Sequence, residues 1–353
     1  MTLFQRIYRS NFLIKLRHWE YWPFGILQAP FFFYWLWLSL KARSLFFFTA
    51  SNPSIYSGGM LGESKKDALD LVPDSHKPKT ILIKLPSTID DVLHAMSAAR
   101  LKFPVIFKPD IGERGWMVQK IHNEDDASQY LNKVPIDFLI QEFLDLPLEF
   151  GVFYVRKPSE ESGRIISINS KEMLTITGNG VDTLAVLVYK NDRAKLQLER
   201  LSKIFESRWN DVIAKDEVVL LNAIGNHCLG TKFMNGNSLI TPTLNASFNA
   251  LSKKVNGFYF GRYDLRCASL NDLENGNVKV MELNGCGAEP AHIYQPGFSF
   301  WHALRVMYQH WKTLYEISVA NHKRGVPYVT FSEARKTYLR TKKIFNQRTS
   351  NLQ

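Results

Sequence analysis

From Tyr21 to Leu40 the chain runs without a charge, YWPFGILQAPFFFYWLWLSL. On count alone the run is long enough to span a bilayer. Pro23 and Pro30 interrupt it, and a second apolar patch, Leu45 to Phe48, follows Lys41 and Arg43. Ahead of it, Phe4, Ile7, Tyr8, Phe12, Leu16 and Trp19 recur at helical spacing, with Arg6, Arg9, Lys15 and Arg17 between them. That pattern predicts a basic amphipathic helix. Two readings of the region stay open. One is a monotopic membrane anchor, which the density of Trp, Phe and Tyr suits. The other is a helical hairpin buried against the rest of the chain. No small-residue cleavage site follows, so the run is not a cleavable signal peptide.

Residues 51–67, SNPSIYSGGMLGESKKD, are rich in Ser, Asn, Pro and Gly and predict a loop. Gly58 and Gly59 there suit either close approach to a ligand or a plain connection. From Lys79 the periodicity becomes that of an α/β chain. TILIKL predicts a strand, and TIDDVLHAMSAARLK predicts a helix with Thr88 as its N-cap. FPVIFKPDIGERGWMVQKI predicts a strand, a loop holding Gly112 and Gly115, and a second strand. FLIQEFL predicts a buried strand whose end leads through a short connection to EFGVFYV. GRYDLRCASLNDLENGNVKVMELNG predicts two strands joined by a polar turn. A basic helix is expected from Ser332 onward, with a solvated face or a lipid-facing one.

Polar residues inside these apolar runs carry the candidate chemistry. Lys108 ends a strand just before the glycine loop. An ammonium and mobile backbone N–H groups suit a phosphate chain, and a hairpin with a surface lysine fits the same residues. Glu142 and Glu149 bracket a connection. An acid beside a hinge backbone accepts an adenine amino group, and a second acid holds ribose hydroxyls. Glu282 and Asn284 stand two apart on one strand and therefore share a face. Asp264 lies on the partner strand. Two carboxylates and an amide oxygen form a hard donor set suited to Mg²⁺.

The chain has 353 residues, 45% hydrophobic and 22% charged, enough for more than one packed lobe. Its net charge of +11 favours anionic partners. No aromatic–basic recognition motif points to nucleic acid, which is excluded as a partner. Cys228, Cys267 and Cys286 show no paired spacing, so a reducing compartment is expected.

Taken in order, these segments resemble the ATP-grasp superfamily, nearest its D-alanine–D-alanine ligase, ribosomal-protein glutamate ligase and cyanophycin-synthetase types. FPVIFKPDIGERG is similar to the family's phosphate-binding lysine and mobile glycine loop. QEFLDLPLEF is similar to its adenine-hinge segment, and RYDLR…VMELN to its metal segment. The resemblance covers about residues 79 to 315. It implies an α+β fold in which two lobes hold ATP between antiparallel sheets, here preceded by an atypical helical, aromatic-rich N-terminal region. It divides the chain into a helical region with its loop (1–75), a small lobe (76–150), a large lobe (151–320) and a basic tail (321–353).

The resemblance implies an ATP-dependent ligase joining a small-molecule carboxylate to an amine through an acyl-phosphate. The alternative is a non-catalytic scaffold that holds nucleotide or an anionic partner. Implied nucleotide contacts are Lys108, Gly112, Gly115, Gln141, Glu142, Phe143, Leu144, Glu149 and Lys171. Asp264, Glu282 and Asn284 are implied to hold Mg²⁺ or Mn²⁺. Arg262, Arg266, Lys232 and Asn226 are implied to work on the transferring group. Lys171 suits a solvated surface as well, and His227, beside Asn226, suits a structural role. Two departures bear on the substrate. No βαβ domain opens the chain, and NGCGAEP follows the metal asparagine where the family often has a small residue and Pro-Gly. Cys286 in that segment is read as a small filler. The expected compartment is the cytoplasm, with attachment to a membrane face.

Overall fold

The computed structural model describes residue 8 and residues 10–350, apart from 114, 223, 224 and 226. Phe4, Arg6, Ile7 and Arg9 of the expected basic helix lie outside the described residues. What is described there is a short helix, α1 (Asn11–Arg17), capped by the Ser10 hydroxyl. Ile14 is its buried residue, while Phe12 and Leu16 face outward.

The charge-free run does not fold into a hairpin. It forms one continuous helix, α2 (Phe24–Ala42), with Pro23 at its N-cap and Pro30 inside it. A proline removes the bond to the carbonyl four residues earlier. That residue is Ile26, half exposed on the outer face, where water is available to the carbonyl. The predicted loop contains a helical turn, α3 (Lys65–Asp70), capped by Ser64.

The small lobe follows: β1 (Thr80–Ile83), α4 (Ile89–Ala98), β2 (Val105–Pro109), β3 (Gln119–Ile121), α5 (Glu124–Leu131) and β4 (Phe138–Glu142). Its four strands form an antiparallel sheet in the order β1-β4-β2-β3. Thr88 starts α4 with a reciprocal capping box to Asp91. Val92 and Met96 on α4, and Ala127 and Tyr130 on α5, pack on Phe107, Phe138 and Ile140.

The large lobe begins with β5 (Leu148–Val155) and β6 (Arg164–Glu172). A smaller unit interrupts it, with β7 (Leu174–Thr177), α6 (Leu184–Lys190), α7 (Asp192–Lys195), α8 (Leu198–Ile204) and β8 (Val218–Asn222) around their own core. The lobe resumes with β9 (Lys232–Asn235), α9 (Pro242–Lys254), β10 (Phe260–Cys267), α10 (Leu270–Glu274) and β11 (Lys279–Asn284). The predicted polar turn between the last two strands therefore contains a short helix, which Ser269 caps. The main sheet is antiparallel in the order β11-β10-β5-β6-β9.

This sheet is covered on both faces. Leu244, Phe248 and Leu251 of α9 pack on one side. Leu314 and Ile317 of α11 (Phe300–Lys323) pack on the other, against Phe153 and Phe260. The double cover explains why β5 is apolar almost throughout. Leu27 and Phe31 of α2 bury against Ala303 and Met307 of α11, so the N-terminal region packs on the large lobe. A final helix, α12 (Phe331–Ser350), closes the chain.

Candidate functional site

Strand β10 alternates strictly. Tyr263, Leu265 and Cys267 enter the α9 core, which leaves Arg262, Asp264 and Arg266 on the opposite face. Asp264 sits directly across from Glu282 on β11, and Arg262 across from Asn284. The three expected metal donors therefore share a face, and the Asn284 amide nitrogen lies 3.5 Å from Asp264 Oδ2.

A β-bulge sits beside this pair. Leu265 pairs with Val280 while Asp264 pairs with Glu282, so Met281 is the extra residue. Its freed carbonyl accepts from Lys108 Nζ at 3.1 Å and from Gln141 Nε2 at 3.2 Å. Lys108 also donates to Gln141 Oε1 at 3.0 Å. One irregularity in the large-lobe sheet thus ties down two small-lobe residues. Burial pushes the Lys108 ammonium down to about 8, against the attraction of Glu282.

The remaining charges form a closed network. Arg262 grips Asp264 with two bonds, 2.7 and 3.2 Å, and its Nη1 also donates to the Glu289 carbonyl. Lys171 on β6 donates to Glu149 Oε1 at 2.9 Å and lies 3.8 Å from Asp264. Arg266 grips the other Glu149 oxygen at 2.8 and 3.0 Å and donates to the carbonyls of Leu144 and Leu146. Burial alone would push Glu149 up, but Lys171 and Arg266 outweigh it and hold it below the usual carboxylate range. Asp264 behaves likewise, with Arg262 and Lys171 overruling burial.

A cleft of about 970 Å³ runs between the lobes. It is lined by Lys108, Gly112, Gly115, Gln141, Glu142, Phe143, Leu144, Glu149 and Lys171, together with Arg262, Asp264, Arg266, Glu282 and Asn284. Two expectations change in detail. Glu149 is fully engaged by Lys171 and Arg266 rather than free for hydroxyls. Arg266 braces the hinge backbone rather than standing open to a transferring group. Glu142 accepts from the Lys79 backbone N–H at 3.2 Å.

Lys232 stands apart from the other expected residues. It is exposed at the start of β9, 3.6 Å from Glu172, and does not line the cleft. Asn226 lies outside the described residues. Gly58 and Gly59 meet backbone: their carbonyls accept from Cys286 and Gly287 N–H at 2.9 Å each. A side chain on Gly59 would collide with Gly285 Cα at 2.6 Å. The glycine pair therefore clamps the segment that follows β11. Cys286 is buried there, and burial pushes its thiol up to about 12, which suits packing and not nucleophilic chemistry.

Several participants carried no motif. Lys65 in the first turn of α3 lies 3.6 Å from Glu282 and also bonds the Gly112 carbonyl. The Ser64–Asp67 spacing was its one local signal, because that spacing marks a helix start. Glu63 is half-buried, with its Oε2 atom enclosed and unpartnered, and desolvation raises its carboxyl pKa. Asn169 on β6 is buried with both side-chain polar atoms unpartnered, over Gly151, whose missing side chain leaves it room.

One wall of the cleft is aromatic. Trp19, Tyr21, Trp22 and Leu27 line it with Tyr294 and His227. Burial pushes His227 down to about 4, with Arg193 adding to the effect. Arg193 pairs with buried Glu20 at 3.2 Å, which fixes this wall.

No family model matches the chain, and no curated protein matches it. Among solved structures it is similar to a bifunctional glutathione synthetase from Pasteurella multocida, at 15% identity and a TM-score of 0.36 over 69% of this chain. It is also similar to the VanG D-Ala:D-Ser ligase from Enterococcus faecalis, at 13% identity and a TM-score of 0.40 over 70% of this chain. A third is the D-alanine–D-alanine ligase from Bacillus anthracis complexed with ATP, at 14% identity and a TM-score of 0.40 over 74% of this chain and 68% of that one. The chain spans 36% of the length of the first and 61% of the second. Overlap this partial carries no argument about activity. What stands on its own is the mixed α/β architecture, with two antiparallel sheets facing one charged cleft.

Proposed function

We propose that this chain is an ATP-grasp enzyme that joins a small-molecule carboxylate to an amine at the expense of ATP. One observation carries the reading. Asp264, Glu282 and Asn284 share one sheet face, and the same strand's bulge anchors Lys108 from the opposite lobe. A nucleotide between the sheets would lay its triphosphate across these groups.

Lys108 and Lys171 bind phosphate oxygens, and Arg262 neutralises charge on the transferring phosphoryl group. A carboxylate oxygen of the substrate attacks the γ-phosphorus, and the bond to the β–γ bridging oxygen breaks with its electrons leaving on ADP. The amine lone pair then attacks the acyl carbon. The acyl–oxygen bond breaks, phosphate departs with its electrons, and the ammonium proton passes to solvent or to that phosphate.

The donor set fits Mg²⁺ in its chemistry, since all three ligands are hard oxygens. Among the described residues no group of three or more His, Cys, Asp or Glu is placed to hold a metal. Mg²⁺ usually keeps phosphate oxygens and water beside one or two carboxylates, and these would complete the shell. When bound, the ion screens charge on the phosphate oxygens. The chain's contribution is to fix Asp264 and Glu282 across from each other.

ADP release with pooled small acids and amines, with and without chelator, tests the proposal. Chelator-sensitive release dependent on both pools supports it. Nucleotide binding with no release under any pool would leave the scaffold reading. That reading has one observation in its favour, the two bonds by which Arg262 already occupies Asp264.

We also propose that the N-terminal region attaches the enzyme to the cytoplasmic face of a membrane. Among the described residues no helix is long and apolar enough to cross one. Support comes from α2, apolar on both its packed and its outward faces, which suits a shallow interfacial position. Pelleting of the full chain with membranes in high salt tests attachment.

A further inference from the structure

Helix α2 has two apolar stripes. Leu27, Phe31 and Leu38 form the buried one. Ile26, Phe33, Trp37 and Leu40 recur at the same helical spacing on the opposite face and are exposed, Phe33 by 75% and Leu40 by 78%. An exposed apolar stripe this long marks an interaction surface. It continues onto α11, where Trp301 and Tyr308 point outward and Tyr308 stacks on Tyr34 of α2 at 4.6 Å. It also continues onto α1, where Phe12 and Leu16 are exposed and Trp22 Nε1 donates to the Leu16 carbonyl at 3.3 Å. Trp22 packs on Phe300, the neighbour of Trp301, at 5.6 Å.

This apolar collar adjoins the aromatic wall of the cleft. Trp19, Trp22 and Leu27 line the cleft from the same segment whose outer side forms the collar. The charges on the helices that carry it are mostly basic. Helices α1, α2 and α11 carry Lys15, Arg17, Lys41, Arg305, Lys312 and Lys323 against one acid, Glu316, which pairs with Lys157 at 2.9 Å. Lys41 lies over the Trp37 ring at 4.4 Å, so the basic and aromatic groups are interleaved.

We infer that this collar docks on an anionic lipid surface, so that the cleft opens at the bilayer along its aromatic wall and receives a membrane-borne acceptor. Apolar side chains enter the interface and the basic rim meets head groups, each basic residue adding to the attraction. A second copy of the chain is a poorer occupant, because a two-fold contact would set the same basic rims against each other. The docking stands without the ligase reading; the origin of the acceptor rests on it.

Flotation of the full chain with vesicles tests the docking. With phosphatidylcholine vesicles containing 30% phosphatidylglycerol, recovery should exceed that with pure phosphatidylcholine about tenfold. Phe33→Glu with Trp37→Glu should cut recovery about tenfold while ATP affinity and melting temperature hold. Arg305→Glu with Lys312→Glu should abolish the preference for phosphatidylglycerol. The docking is overturned if the chain stays with the unbound fraction in both lipids, or if Phe33→Glu with Trp37→Glu floats like the parent. It is also overturned if the parent is a dimer that this variant splits. For the acceptor, ADP release with vesicles of total polar lipid should exceed release with a lipid-free aqueous extract. Greater release with the aqueous extract overturns the membrane-borne acceptor and spares the ligase. Flotation without ADP release from any source fails the ligase and, with it, the acceptor claim, while the docking stands.

Discussion

The large-lobe sheet and the N-terminal helix solve opposite problems. On the cleft face of β10, β5 and β6, Arg262, Asp264, Lys171, Glu149 and Arg266 each have an opposite charge within 4 Å. On α2, among the described residues, Ile26, Phe33, Trp37 and Leu40 stay exposed on one apolar face. Buried charges are tolerated only when paired, so the first region is fixed by mutual neutralisation and carries its specificity inside. Exposed apolar surface has the reverse logic, because it leaves room for a complement from outside the molecule. The cleft is lined by residues from both regions.

Asp264→Asn gives the largest effect expected. Arg262 and Lys171 lose their shared carboxylate, and unpaired buried charge costs about 3–5 kcal/mol. ADP release should fall on the order of a thousandfold, and urea melts should report the stability loss. Glu282→Gln should cut release on the order of a hundredfold but leave stability within about 1 kcal/mol. Glu282 is a third exposed, with one ion-pair partner, Lys65 at 3.6 Å. Equal stability losses in the two variants would break the contrast between a closed network and an open donor.

Acid sensitivity should come from buried rings away from the charge network. Burial pushes His310 down to about 3 and His292 down to about 4. Both are neutral when folded and protonate near 6.5 when unfolded. The unfolded chain therefore binds more protons below that value, and stability falls as pH drops from about 6.5 toward about 4. The expected loss is on the order of a few kcal/mol. His310→Leu, set among Phe153, Phe260 and Trp311, should flatten that limb in thermal melts between pH 7.5 and 4.5. An unchanged limb would assign the sensitivity elsewhere.

Much of this was legible before folding. The alternation of Arg262, Asp264 and Arg266 with Tyr263, Leu265 and Cys267 is a period-2 signal, and the structure follows it. The Thr88 cap and the strand ending at Lys108 were equally plain. What local pattern could not carry was long-range pairing. The Met281 bulge depends on the register between β10 and β11, and no residue type in VKVMELN marks it. Lys65 reaches Glu282 only because α3 packs beside β11. Pro30 read as a break, and tertiary packing of Leu27 and Phe31 on α11 overrode it. Gly58 and Gly59 read as ligand-facing or plain, and their real partner, the 285–287 backbone, lies more than two hundred residues on.

Lys108→Ala probes the seam between the lobes. It removes a cation that the Met281 carbonyl and Gln141 hold in place, and ATP affinity should weaken by about 2–3 kcal/mol, the scale of a charge-assisted contact. Calorimetry reads it directly. Unchanged affinity would mean that Lys108 serves only to latch the two sheets, and Gln141→Leu should then mimic it in stability and not in binding.

Lys232→Ala should do least, and its smallness is informative. The residue stands at the edge of the same sheet as Lys171, pairs across to Glu172 in register, and is about half exposed. Surface ion pairs of this kind contribute about 0–1 kcal/mol. Turnover and melting temperature should therefore match the parent. Lys171, on the neighbouring strand of that sheet, is buried between Glu149 and Asp264, so Lys171→Ala should lose activity and stability together. A tenfold loss of turnover in Lys232→Ala at unchanged stability would say that β9 and the segment before it swing inward when nucleotide is bound. The edge of the sheet would then belong with the cleft, and the line between a closed charge network and an open surface would have to be redrawn there.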